Sequence, residues 1–193
     1  MKITPFFANL LLEDRLNIDN HALRAYCLRM QTMDAGRGVS NVNGWQSNDI
    51  DLADPELAPL ITQLKSRVKE MCDAYAIRKE IKFTIENGWI NINKQGGWNT
   101  PHCHLGAFSA VYYAWAQAAQ GALQLVDRDN TKTSLFNPAT VHSFNGANSS
   151  NYTITPMTGR LVIFPSWVLH YVESNPTDAE RISLAFNITL PRL

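Results

Sequence analysis

Three histidines, an arginine and a serine carry the chemistry open to this sequence: His102 and His104, two residues apart, then His170, then Arg181 and Ser183. On a strand, residues two apart point to the same face. Both imidazoles of the pair can then converge on one ion, and a sheet can bring His170 to them from a distant strand. Iron(II), zinc and manganese all accept imidazole. For oxygen chemistry the usual set is two His and one carboxylate, with open positions beside them. Here His104 stands where an HxD pair would have its carboxylate. Two readings follow: a three-His site, or a carboxylate supplied from elsewhere, with Asp127, Asp129 and Glu173 as candidates. Neutral ligands leave the metal one charge more positive than a carboxylate set, which favours anion binding there.

Arg181 opens the last apolar strand, RISLAFN. A charged side chain heading inward needs a partner, and the guanidinium is a planar fork suited to a carboxylate. Ser183, two along, faces the same side and can donate to the same group. The competing reading is a surface ion pair of Arg181 with Asp178 or Glu180. His170 sits in the apolar stretch VIFPSWVLHYV, where a lone His would be a hydrogen-bonded core residue. His21, at a helix start, and His142, in a polar loop, are not expected as ligands. Cys103, between the paired histidines, is expected to point away from them as a small buried filler.

The chain has 193 residues, 45% apolar and 18% charged, with 17 basic residues against 17 acidic. That length and apolar content fit one domain with a full core. The even charge gives no electrostatic reason to bind nucleic acid or an anionic membrane. Three widely spaced cysteines argue against a disulfide framework. No apolar run approaches the roughly 20 residues of a membrane span, and Met1 to Leu12 reads as a first strand, not a signal peptide. A reducing, cytoplasmic setting is expected.

The elements that must position these groups are legible in outline. Residues 1–80 predict a strand over Thr4–Leu12 and a helix capped by Asn20, with Leu23, Tyr26, Cys27 and Met30 on one face. A turn-rich loop follows over Ala35–Gly44, then a short strand at Trp45–Ile50. A second helix opens at Asp54-Pro55, with Leu57, Leu60, Ile61, Leu64, Val68 and Met71 as its stripe. From Lys82 on, short strands alternate with turn residues: FTIENGWININ, LGAFSAVYYAWA, GALQLV, NYTITP, RLVIFP, WVLHYV and RISLAFNITL. The expectation is a mainly β fold with flanking helices, an antiparallel jelly-roll barrel. Residues 1–80 pack on the barrel as part of a single domain, 1–193. Ala139–Ser150 is small and polar, a loop placed to cover a site mouth.

The order HxH, a long gap, FPSWVLH and RISLAFN resembles the 2-oxoglutarate/Fe(II)-dependent oxygenases. Within them it is most similar to a group of about 200 residues from bacteria and phages, related to the prolyl-4-hydroxylase branch. GWQS (44–47), GWNTPHCH (97–104), SAVYY (109–113), GALQL (121–125), GRLVIFPSWVLHYV (159–172) and RISLAFN (181–187) carry the resemblance. It implies a double-stranded β-helix, with Fe(II) held at His102, His104 and His170 and 2-oxoglutarate as co-substrate. Arg181, assisted by Ser183 and Tyr113, would hold the distal carboxylate. Asn93 and Asn99 would hydrogen-bond the co-substrate, and Leu123 would wall its pocket. Trp98 would shape a substrate mouth; for Trp167 buried packing is the expectation. The implied reaction decarboxylates 2-oxoglutarate to succinate and hydroxylates a C–H bond of a peptide side chain or small metabolite. A phage-encoded member would work in the host cytoplasm, and an exposed N-terminal strand would allow a homodimer. Two other readings share the site residues: a cupin-like three-His metalloenzyme that does not use 2-oxoglutarate, and a non-enzymatic jelly-roll binding or virion protein.

Overall fold

The computed structural model describes residues 1–4, 7–128 and 131–191, except the side chains of Thr131 and Thr133. Helix α1 (Asn20–Met33) begins at its expected cap, one residue earlier than expected. Asp19, not Asn20, is the N-cap, because its carboxylate accepts from both His21 N and Ala22 N at 3.0 Å. Asn20 instead accepts from the Tyr112 hydroxyl at 2.6 Å, tying the helix to a strand. A single 3-10 turn, Pro55–Leu57, capped by Asp54, leads into α2 (Ala58–Ala74). Its expected stripe, Leu57 to Met71, is buried throughout.

Among the described residues, eleven strands form two antiparallel sheets. The larger orders β1 (Leu12–Arg15), β9 (Arg160–Pro165), β6 (Phe108–Trp115), β11 (Arg181–Thr189), β4 (Thr84–Asn93) and β3 (Trp45–Gln46). The smaller orders β2 (Asn41–Val42), β5 (Trp98–His102), β10 (Leu169–Val172), β7 (Leu123–Val126) and β8 (Asn151–Ile154). This is the jelly-roll, double-stranded β-helix architecture. Strand alternation decides what each face does. On β11, Ile182, Leu184, Phe186 and Ile188 pack into one core with Leu57, Leu60, Leu64 and Val68 of the helical side. Burying each such side chain contributes about 1.5–3 kcal/mol. The opposite parity, Arg181, Ser183 and Ala185, faces a cavity. A smaller core of Tyr113, Leu123, Leu125, Ile154, Val162 and Phe164 lies beside it.

Several boundaries differ from expectation. The first strand is Leu12–Arg15, not Thr4–Leu12, and Pro5 and Phe6 lie outside the described residues. The charged run expected to end that strand is instead an edge strand whose charges find distant partners. Asp14 pairs with Arg67 at 2.5 Å and Glu13 with Arg160 at 3.6 Å. The loop over 35–44 contains β2, and the strand expected to reach Ile50 stops at Gln46. A short helix, α3 (Thr131–Leu135), precedes the polar 139–150 segment. That segment forms mostly exposed turns, and none of its residues is among those lining the cavity wall.

Candidate metal centre and co-substrate cavity

Strand pairing brings His102 and His170 together. In the β5–β10 ladder they are direct cross-strand partners, and their ring centroids are 4.3 Å apart. His104 arrives differently from the sequence expectation. Strand β5 ends at His102, so the alternation of a continuous strand does not place it. The His104 N–H donates to Ser166 O at 2.9 Å, which pins the segment to the turn between β9 and β10. Its ring then lies 4.9 Å from that of His102 and 5.1 Å from that of His170. One ligand atom from each of the three residues lies within 4.8 Å of the others.

The ring hydrogen bonds prepare two of these nitrogens for a cation. His102 Nδ1 lies 2.6 Å from Thr100 O and His170 Nδ1 lies 2.9 Å from Val168 O. A carbonyl only accepts, so each Nδ1 carries the proton and each Nε2 keeps a free lone pair. This is the outer-shell arrangement that orients metal-binding histidines. Burial favours the neutral rings: it pushes His170 down to about 3 and His104 down to about 4, with the neighbouring His102 adding to both. His102 is also lowered by burial, against the opposing bond to Thr100. Phe164 sets its edge against His170 at 4.9 Å, and Trp89 lies 5.5 Å from His104.

No carboxylate joins the three imidazoles among the described residues. Glu173 accepts from Ala122 N at 2.9 Å and Gln124 Nε2 at 2.8 Å. Asp127 pairs with Lys132 at 2.7 Å. Asp129 lies outside the described residues.

Arg181 lines the same cavity and is only 3% exposed. The alternative surface pair does not form: Glu180 pairs with Arg24 instead, at 2.5 Å. Arg181 Nη1 donates to Gln120 O, to Gly121 O at 2.8 Å and to Glu173 O at 3.3 Å. Its Nη2 is buried without a partner. A buried guanidinium held on one side by carbonyls and left open on the other suits an incoming carboxylate. Burial lowers the guanidinium from its usual value, while Tyr113 and Glu173 act in the opposite direction.

Every residue expected around a co-substrate lies on this cavity: Ser183, Tyr113, Asn93, Asn99 and Leu123 join Arg181 in the wall. Ser183 is the cross-strand partner of both Asn91 and Tyr113, and Arg181 of Asn93. Asn93 Nδ2 donates to Asn99 Oδ1 at 3.2 Å, and Asn99 Nδ2 to Ser40 Oγ at 3.1 Å. Trp89 and Asn91 also line the cavity and were missed in the sequence. Their signal was available, since they share the parity of Asn93 on one strand.

Cys103 and Trp167 differ from expectation. Cys103 is exposed, not buried, with Arg128 Nη2 donating to its Sγ at 3.1 Å, because the chain has left the strand there. Trp167 is 52% exposed, and its Nε1 donates to Asn9 Oδ1 at 3.2 Å. It sits in the turn between β9 and β10, where no opposing sheet covers it. Trp98 lines an open groove with Pro101 and Tyr171, and Val172 borders both that groove and the cavity.

Comparison with known proteins adds the family. Residues 87–187, just over half the chain, match the family model described as "Putative 2OG-Fe(II) oxygenase". No curated protein matches the sequence. Solved structures resemble the fold. A Pseudomonas putida prolyl-4-hydroxylase aligns with TM-score 0.61 and 16% identity over 95% of this chain and 92% of that one. The viral collagen prolyl hydroxylase of Paramecium Bursaria Chlorella virus-1, in complex with 2-oxoglutarate, aligns with TM-score 0.58 and 12% identity over 92% and 94%. HygX from Streptomyces hygroscopicus, with nickel, 2-oxoglutarate and hygromycin B bound, aligns with TM-score 0.58 and 9% identity over 93% and 82%. At such identities the likeness is one of fold, and the family match carries the rest: the chain belongs to the 2OG-Fe(II) oxygenases, enzymes that use Fe(II) and 2-oxoglutarate.

Proposed function

We propose that His102, His104 and His170 hold Fe(II), through Nε2 in the case of His102 and His170, and that Arg181 grips the distal carboxylate of 2-oxoglutarate. Ser183 and Tyr113 assist Arg181, Asn93 hydrogen-bonds the co-substrate, and Leu123 walls it in. The carrying observation is the coincidence, in one cavity, of three imidazoles within ligand distance of each other and a buried guanidinium with an unpartnered Nη2. Bound iron supplies the oxidative decarboxylation of 2-oxoglutarate to succinate, coupled to hydroxylation of a substrate C–H bond. The chain's own groups orient: the carbonyls of Gln120 and Gly121 fix the guanidinium, and those of Thr100 and Val168 fix two imidazoles. Phe164 and Leu123 keep water from the inner wall.

The substrate is a peptide side chain or a small molecule, supported by a prolyl-4-hydroxylase and by the hygromycin-bound HygX among the fold relatives. Free cysteines suit work in a reducing cytoplasm, and β1, at the end of its sheet, is the strand on which a second copy would pair. The test is calorimetric titration of 2-oxoglutarate into metal-loaded protein without oxygen. Arg181→Ala should weaken binding on the order of ten- to a hundredfold, the loss of a charge-assisted bidentate contact. Metal uptake should be unchanged. Equal 2-oxoglutarate affinity in the variant would remove Arg181 from the role.

A further inference from the structure

The three imidazoles are held unequally, and this sets their roles toward a metal, provided the ligand assignment above holds. His102 and His170 face each other across the β5–β10 ladder. Each ring is locked through its Nδ1 proton to a carbonyl two residues back, Thr100 O at 2.6 Å and Val168 O at 2.9 Å. His104 lies outside any strand, in the segment between β5 and β6. Its main-chain N–H donates to Ser166 O at 2.9 Å, but among the described residues its ring makes no hydrogen bond. Ring contacts orient it instead, with Trp89 at 5.5 Å and with the other two imidazoles. Its chain neighbours Cys103 and Leu105 are both exposed.

A carbonyl behind an imidazole fixes its tautomer and its rotation, makes it a more basic ligand, and is worth about 10–100-fold in metal affinity. His102 and His170 have that support and His104 lacks it. Coordination through His104 must also order a ring that no hydrogen bond has ordered beforehand, at a cost in side-chain entropy. We infer that His104 is the exchangeable ligand of the centre. His102 and His170 form the clamp that retains the ion, and a monodentate nitrogen base from outside can take the place of His104 while the ion stays. A neutral azole is the class that fits, since it returns the same donor atom with the same charge.

Co(II) is the probe metal, and perdeuterated N-methylimidazole, silent in proton NMR, is the probe base. In the first arm, Co(II) affinity is measured calorimetrically for the unaltered protein and for His102→Ala, His104→Ala and His170→Ala. The loss in His104→Ala should be smaller than in either other variant by at least about tenfold. A smaller gap overturns the inference. The ligand assignment then stands if all three variants are weakened, and falls together with the inference if none is. In the second arm, unaltered protein loaded with Co(II) is titrated with the base while the visible absorption and the cobalt-shifted histidine ring signals are followed. The base should change the absorption and return one of three sets of shifted ring signals to its ordinary place, with the ion still bound. His104→Ala identifies that set by lacking it. If all three sets stay shifted, if the ion is stripped, or if the base does not bind, the inference is overturned. Should His104→Ala not fold, the second arm decides.

Discussion

A single residue, Arg181, shows how far side-chain chemistry alone can be read. Its place at the head of an apolar strand implied an inward charge in need of a partner, and it is buried with one nitrogen unpaired. The same logic recovered His170, a polar ring in an apolar stretch, and the pairing of Ser183 with Arg181 on one face. It failed where the local backbone leaves the strand. Cys103 is expected to point away along a continuous strand and Trp167 to pack inside, yet both lie where the chain turns away from the sheet. Tyr113 tests the next level of detail. Its ring is buried in the smaller core, and burial pushes its hydroxyl up to about 12 against the pull of the nearby guanidinium. It therefore stays protonated and able to donate. Tyr113→Phe keeps the packing and removes one donor, so 2-oxoglutarate affinity should fall about three- to tenfold, the worth of one hydrogen bond. The loss should be smaller than in Arg181→Ala, with the unfolding temperature little changed. A calorimetric titration of both variants ranks them, and an unaltered affinity in Tyr113→Phe would leave the hydroxyl a packing role only.

Among the elements, strands rich in β-branched and aromatic residues were legible and short polar ones were not. Arg160–Pro165 and Thr84–Asn93 announce themselves by β-branched and aromatic residues between turns. By contrast Leu12–Arg15 and Asn41–Val42 are held by ladder bonds and distant ion pairs that no local pattern encodes. Gly121 reads as the start of the strand GALQLV, yet it belongs to the turn before β7, whose carbonyl holds Arg181. Gly121 has φ +82°, and a Cβ there would lie 2.5 Å from Glu173 O and 2.9 Å from Arg181 Nη1. Gln120 fastens the turn from the other side, its Nε2 donating to Ala179 O at 2.9 Å. Gly121→Ala must therefore shift the carbonyls that hold the guanidinium. The expected result is a KM for 2-oxoglutarate raised about tenfold or more with kcat less affected, because the three imidazoles lie on other elements. A fall in kcat alone, at unchanged KM, would show that the turn does not position Arg181.

For the molecule as a whole, the closure of two sheets around the site governs how stability responds to pH. Enclosure, not any single contact, pushes His104 down to about 4 and His170 down to about 3. In the unfolded chain both titrate near 6.5. Below that value the unfolded state takes up protons that the folded state refuses. The contribution of these rings is therefore complete above about pH 6.5 and is lost as pH falls toward 4. The slope is about 1.4 kcal/mol per pH unit for each proton taken up. Metal-free protein should accordingly show a falling Tm between pH 6.5 and 4, and His170→Ala should flatten that fall. Bound metal tests the same idea from the other side. It binds neutral imidazole and stabilises the fold by mass action. Because His104 and His170 are already neutral in the folded protein and burial lowers His102 as well, protons compete less at pH 5.5 than they would with free imidazoles. The rise in Tm on adding Ni(II) should then be nearly the same at pH 5.5 as at pH 7. Thermal unfolding with and without Ni(II) across that range measures it. A rise that collapses by pH 5.5 would mean that the imidazoles titrate near their ordinary value, in rings far less enclosed than the two sheets make them.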